Sequence, residues 1–306
     1  MLPFKLVYSD RYDLNLGPHV FPSQKYRLIH DRMLLDGFAA PEDFVAPEPA
    51  EDDQILLVHK PEWVQKLKTG TLSYVDIMRL EIPYSKQMVD AFWLATGGTI
   101  LAARHALREG LGFNIGGGFH HAFPGHGEGF CAIHDVAIAI RTLQQERLIE
   151  RAMVVDCDVH HGNGTAGIFA GDASVFTLSI HQLNNYPDEK PLSTVDVNLP
   201  DGVGDDDYLR RLQESLAPAM RDFSPNLMVF VAGADPYRED QLGGLALTKE
   251  GLMRRDRLVL ETARSKGIAA VVTLAGGYAR NVSDTVDIHC NTAVVAKEVV
   301  HAARQR

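Results

Sequence analysis

Four short segments gather the groups that could do chemistry: GGGFHHAFPGHGEGFC at 116–131, DCDVHHGNG at 156–164, AGAD at 232–235 and LAGGYAR at 274–280. They hold two His pairs, three Asp and a Tyr. Asp158 and His160 stand two apart on an extended stretch, so both side chains leave one face and can grip one ion. With Asp235 they make an Asp/His/Asp set that leaves a position open for water or substrate, the pattern of a catalytic metal site. Oxygen-rich ligation with one imidazole suits zinc and admits Fe(II), Co(II) or Mn(II). A structural reading stands beside it, with Asp158 capping a helix that starts near Gly162 and Asp235 a turn residue before Pro236. Any one residue fits either reading; the whole set fits the metal.

His120 and His121 follow a Gly-rich run that lets the backbone approach the site closely. Neighbouring side chains diverge, so the pair suits two jobs, one beside an attacking water and one beside a leaving group. Asp156, on the same face as Asp158, and Asn163 are polar partners able to fix imidazole tautomers. A lone His is often a hydrogen-bonded core residue; an HH pair after GGG fits that less well. Tyr278 is placed to give its hydroxyl to a developing oxyanion, although GGY also serves as a helix-entry turn.

Each of these segments begins where an apolar run ends. The runs FKLVY (4–8), QILLV (54–58), GFNIGG (112–117), AMVVDCD (152–158), VFTLSI (175–180), LMVFVAGAD (227–235) and AAVVTLAGG (269–277) read as strands. Helix-period segments near 24–36, 134–147, 248–266 and 282–303, with WVQKLK and GNGTAGIFA, lie between them. Strands apolar on both faces and separated by helices predict an α/β fold: an open, mostly parallel sheet with helices on both faces. Ligands of such sheets bind beyond the carboxyl ends of the strands, where all four segments fall. One domain over 1–306 is expected, and the acidic, Pro-rich stretch 41–53 reads as a surface loop.

Composition narrows the partners. With 30 Lys plus Arg against 40 Asp plus Glu, the net charge of −10 argues against a broad phosphate-binding surface, so direct nucleic-acid contact is not expected. Three Cys (Cys131, Cys157, Cys290) without a CxxC suit a reducing compartment. There is no basic start followed by an apolar signal run and no stretch of 18 apolar residues, so a soluble, cytoplasmic protein without a membrane partner is expected. The oligomeric state stays open.

In GGGFHHA (116–122), GFC (129–131), DCDVHHGNGT (156–165), SIH (179–181), AGAD (232–235) and GGY (276–278), in this order, the chain resembles the histone deacetylase superfamily of the arginase/deacetylase fold. With TGGTILA (96–102) it looks most like the class IV branch and its bacterial relatives. The resemblance implies that Asp158, His160 and Asp235 bind catalytic zinc and that His121 is general base, then general acid. It makes His120 an electrostatic neighbour paired with Asp156, Asn163 the partner of His121, and Tyr278 the residue that polarises the substrate carbonyl. It also implies a structural potassium ion held by Asp156, Asp158, His160, Ser179 and Ile180, partly through backbone carbonyls. Gly129 and Phe130 match a substrate tunnel with Gly276 and Gly277; Tyr186, in a loop (182–193) that departs from the class I pattern, is the candidate for its other wall. Glu81 in LEIP is the nearest match to a rim Asp. His134 replaces the Asn of a common NDV and reads as a helix-start residue.

The expected reaction is hydrolysis of an acyl-lysine side-chain amide in a peptide or protein, the acyl group acetyl or longer. Alternatives are deacetylation of acetylpolyamines or another small N-acyl amine on the same fold, and a non-catalytic acyl-ligand sensor. An arginase-like two-manganese site needs more bridging Asp residues than DCDVHHGNG supplies. Of the 13 His, three fall in the proposed reaction centre, and His161 and His181 are assigned structural roles in the neighbouring motifs.

Overall fold

The computed structural model describes residues 1–304. Eight strands, β1 (Leu6–Val7), β2 (Phe44–Val45), β3 (Leu111–Asn114), β4 (Ala152–Asp156), β5 (Val175–Gln182), β6 (Val195–Leu199), β7 (Leu227–Val231) and β8 (Ala269–Thr273), form one sheet in the order β2-β1-β3-β8-β7-β4-β5-β6. All seven strand pairings are parallel. Side chains alternate between two cores. Val154, Val229, Val231 and Val271 pack against Ala102, Ala103 and Ala106 of α5 (Lys86–Glu109) and Val136, Ile140 and Leu143 of α6 (Asp135–Gln145). Met153, Val155, Met228, Phe230 and Val272 belong to the other core, with residues of α8 (Asp205–Asp222), α9 (Lys249–Ser265) and α10 (Val282–Arg304). Burial on both faces is why these strands lack polar alternation.

Two local expectations are corrected. QILLV is not a strand: Glu51 and Gln54 form a capping box that starts the short helix α2 (Asp52–Ile55), and Leu56 ends up 41% exposed. The stretch 41–53 is not all loop, because Phe44–Val45 adds a parallel edge strand beside β1. The longest helix among the described residues, α5, is absent from the expected elements, as are α8 and the half-buried edge strand β6. Ser85 caps α5, accepting from Met88 N at 3.0 Å, and Gly110 ends it in a left-handed conformation. Among the described residues no helix is long and apolar enough to cross a membrane.

The N-terminus of α6 joins the sheet ends to the site. His134 caps it, Nδ1 accepting from Ala137 N at 3.1 Å, while its own N–H donates to His59 Nε2 at 2.9 Å. Burial holds His59 down at about 4. The folded state therefore refuses a proton that the unfolded chain accepts near the ordinary value, so this contribution is present above pH 6.5 and is lost as pH falls towards 4. The difference amounts to about 3 kcal/mol. His59→Gln, which can still accept the His134 N–H, is expected to flatten the fall in urea midpoint between pH 6.5 and 5; an unchanged pH slope would show that His59 does not carry it.

Candidate active site

The carboxyl ends of β3, β8, β7, β4 and β5 lie side by side, so the loops after them meet in one place. Asp158 and His160 follow β4, Asp235 follows the adjacent β7, and one ligand atom from each lies within 4.8 Å of the others, all three residues buried. Asp158 does not cap a helix. Its Oδ2 accepts from Gly276 N at 2.9 Å, and its Oδ1 accepts from His160 N at 3.0 Å and lies 3.0 Å from His160 Nδ1. Asp235 is more than a turn residue: Oδ1 accepts from Val159 N at 2.8 Å, while buried Oδ2, 3.4 Å from His160 Nδ1, has no hydrogen-bond partner. Burial and the neighbouring Asp158 push the Asp235 carboxyl up to about 7. Two crowded carboxylates, an imidazole and an orphaned oxygen fit a divalent cation, which would relieve the repulsion and complete the missing contact.

Gly276 packs closely against this cluster. A Cβ there would stand 1.9 Å from Asp235 Oδ2 and 2.6 Å from Asp158 Oδ2. A Cβ on Gly277 would meet Thr285 and Ala234.

The loop after β3 brings in the His pair. Gly117 and Gly118 take φ of +69° and +84°, conformations that side chains resist, and the buried Asp135 carboxylate accepts from Gly118 N at 3.0 Å and Phe119 N at 2.7 Å. His120 Nδ1 then donates to Asp156 Oδ2 at 2.6 Å, and His121 Nδ1 donates to Asn163 Oδ1 at 2.7 Å. Their charge states separate. Burial alone would lower His120, but the carboxylates of Asp156 and Asp158 outweigh it and hold the ring at about 9. His121 is driven well below its ordinary value by burial and by His120 and His160. A charged imidazole thus sits beside a neutral one, ring centroids 4.1 Å apart.

A cavity of about 160 Å³ descends to this floor, walled by Phe130, Tyr186, Leu242 and Glu81, with Gly129 and Asn185 at its side and His121, His160 and Tyr278 at its base. Phe130 presents its ring from a left-handed backbone (φ +66°), its N–H donating to Leu80 O at 3.0 Å at the end of α4 (Tyr74–Leu80). Tyr278 is buried; its N–H donates to Asp240 Oδ2 at 2.7 Å, and its ring lies 5.9 Å from Phe130 and 6.2 Å from His160. Leu242, Asn185, Asp135, Asp240 and Glu128 were missed in the sequence. Only Glu128, a lone acid inside GHGEGFC, and Asp135, the Asp kept where His134 replaces the Asn of NDV, gave a signal there.

Ser179 and Ile180 lie on β5, and the register sets Ser179 opposite Asp156 on β4. His161, His181 and Asp196 form a second group with metal-like spacing. There His181 already spends both nitrogens, Nε2 on Asn198 Oδ1 at 3.0 Å and Nδ1 on Ser179 Oγ at 2.9 Å, and His161 Nε2 donates to Asp196 Oδ1 at 3.1 Å. That group reads as a hydrogen-bonded brace between β4, β5 and β6.

Comparison with known proteins agrees in fold and sequence. The profile of the histone deacetylase domain matches residues 19–293. An uncharacterised protein of Picosynechococcus sp. is 42% identical over 97% of this chain and 99% of its own. Histone deacetylase 2 of Arabidopsis thaliana is 32% identical over 92% of this chain and 77% of its own. Among solved structures, the HDA15 HD domain has a TM-score of 0.80 at 27% identity, covering 95% of this chain and 87% of that one.

Proposed function

The chain belongs to the histone deacetylase family and has its arginase/deacetylase fold, and from that premise we propose that it is a zinc-dependent hydrolase that removes a short acyl group from the lysine side-chain amide of proteins. One arrangement carries this reading: a neutral imidazole, a buried phenol and an Asp/His/Asp cluster share the floor of a narrow cavity walled by Phe130 and Tyr186. Aromatic walls suit the methylene stem of lysine, and a space of about 160 Å³ favours acetyl over a long chain.

Asp158, His160 and Asp235 would hold the metal, which when bound supplies Lewis acidity towards the amide carbonyl and the attacking water. His121, its Nδ1 proton engaged by Asn163, offers Nε2 to take a proton from that water and then passes it to the departing amine. His120 stays charged against Asp156 and stabilises negative charge that builds up beside it. Tyr278 donates its hydroxyl to the oxyanion as the carbonyl is attacked. Potassium would sit beneath, held by Asp156, Asp158, His160, Ser179 and Ile180, the strand register of Asp156 and Ser179 supporting the assignment. The three free thiols suit the cytoplasm.

A second reading, a small cationic N-acyl amine such as an acetylpolyamine, is favoured by the acids Glu81, Glu128, Asp188 and Glu189 that line the groove beside the cavity. Comparing kcat/KM on an acetyl-lysine peptide, a myristoyl-lysine peptide and N-acetylputrescine, with metal content measured on the same preparation, decides between them. We expect acetyl-lysine peptide to exceed the myristoyl peptide by roughly a hundredfold. Preference for N-acetylputrescine would move the assignment to the small amine, and efficient demyristoylation would reject the short-acyl reading.

A further inference from the structure

Glu128, in the loop that carries Phe130, is the hub of the polar contacts behind His121. Its Oε1 accepts from Asn163 Nδ2 at 2.7 Å and from the Tyr186 hydroxyl at 3.0 Å, and its Oε2 lies 3.2 Å from His126 Nε2. Asn163, 2% exposed, turns its Oδ1 to His121 Nδ1 at 2.7 Å and to Gly164 N at 3.1 Å. A primary amide has nearly the same shape when rotated by half a turn, but its donor and acceptor change places. Were Nδ2 to face His121, two donors would meet unless the imidazole moved its proton from Nδ1 to Nε2. That proton would then occupy the nitrogen that must be bare to act as a base. An ionised carboxylate is an acceptor only and cannot face Oδ1.

We infer that Glu128 is a positioning residue: by accepting from Asn163 Nδ2 it locks the amide so that Oδ1 holds the His121 Nδ1 proton and Nε2 stays free as the base. The inference rests on the deacylase reading for its consequence in catalysis, and on geometry alone for the tautomer. The Gly164 N–H, pointing at the same Oδ1, biases the amide in the same sense. The Tyr186 bond ties the tunnel wall to the same carboxylate, so one side chain sets both the base and the wall beside it.

The test is ¹⁵N NMR of histidine-labelled, zinc-loaded protein, with kinetics on the acetyl-lysine peptide. His121 is expected in the Nδ1–H form in the parent and as a mixture with Nε2–H in Glu128→Met, which is similar in length but has no acceptor. The same variant should lose roughly 10- to 100-fold in kcat with KM changed far less. Asp at 163 has no amide to misorient, so Glu128→Met with Asn163→Asp should regain the Nδ1–H form and most of kcat. Asn163→Asp alone should be poorer than this double variant, because two carboxylates then face each other. Removing Glu128 is thus harmful beside Asn and helpful beside Asp, a reversal that a merely structural role would not produce. Tyr186→Phe, which cuts only the other bond, should leave the tautomer unchanged. A wild-type tautomer in Glu128→Met, or equal harm in both backgrounds, would overturn the inference. An inactive parent protein would instead defeat the deacylase reading, while the NMR result would still decide the role of Glu128.

Discussion

Asp235→Ala is expected to empty the metal site and abolish turnover. The cluster has three candidate ligands, so the variant would keep two, and affinity should fall by more than the 10- to 100-fold typical of losing a partner behind a ligand. The fold should survive. Val159 N loses its acceptor, a cost of about 1–3 kcal/mol for a buried donor, but a crowded carboxylate beside Asp158 also disappears. Metal content after dialysis, read by plasma mass spectrometry beside a thermal melt, checks both halves of the expectation. Stoichiometric zinc with full activity in this variant would mean that the ligand set is wrong.

Tyr278→Phe should keep the metal and lose the chemistry. The ring remains packed between Phe130 and Phe21, whose centroids lie 5.9 and 6.0 Å away, so stability and KM should barely move. What goes is the one hydroxyl that the proposed mechanism assigns to the oxyanion, a donor whose removal typically costs about 3 kcal/mol of barrier, or roughly a hundredfold in kcat. Unaltered turnover of an acetyl-lysine peptide would remove Tyr278 from the mechanism. The two variants also separate roles: the first fails with its metal gone, the second with its metal in place.

The strands next to the site were legible because each is buried on both faces and therefore almost uniformly apolar. Where that condition fails, so did the reading. QILLV is apolar in composition yet forms the end of a short helix and the turn after it, with Ile55 buried and Leu56 exposed, and VDVNL (195–199) is a true strand whose half-buried edge position leaves it polar. The helix Lys86–Glu109 hides behind Ala, Gly and Thr, small residues that pack closely against β3 without a strong apolar stripe.

The amino-acid sequence by itself determined the kinds of group at the site and their order along the chain: the paired His, the Asp-x-His step, the late Asp and the Tyr after two glycines. The resemblance carried two pairings in advance, His120 with Asp156 and His121 with Asn163; only the tertiary structure shows these as contacts and adds the others. His120 meets Asp156, His121 meets Asn163, Asp158 meets Gly276 and Asn163 meets Glu128 across separations of 36, 42, 118 and 35 residues. Those meetings follow from a strand order of β3-β8-β7-β4-β5, which long-range packing fixes and local propensity does not record. The same folding step made one histidine charged and its neighbour neutral, since burial and the placement of carboxylates, and not residue type, set where a proton resides.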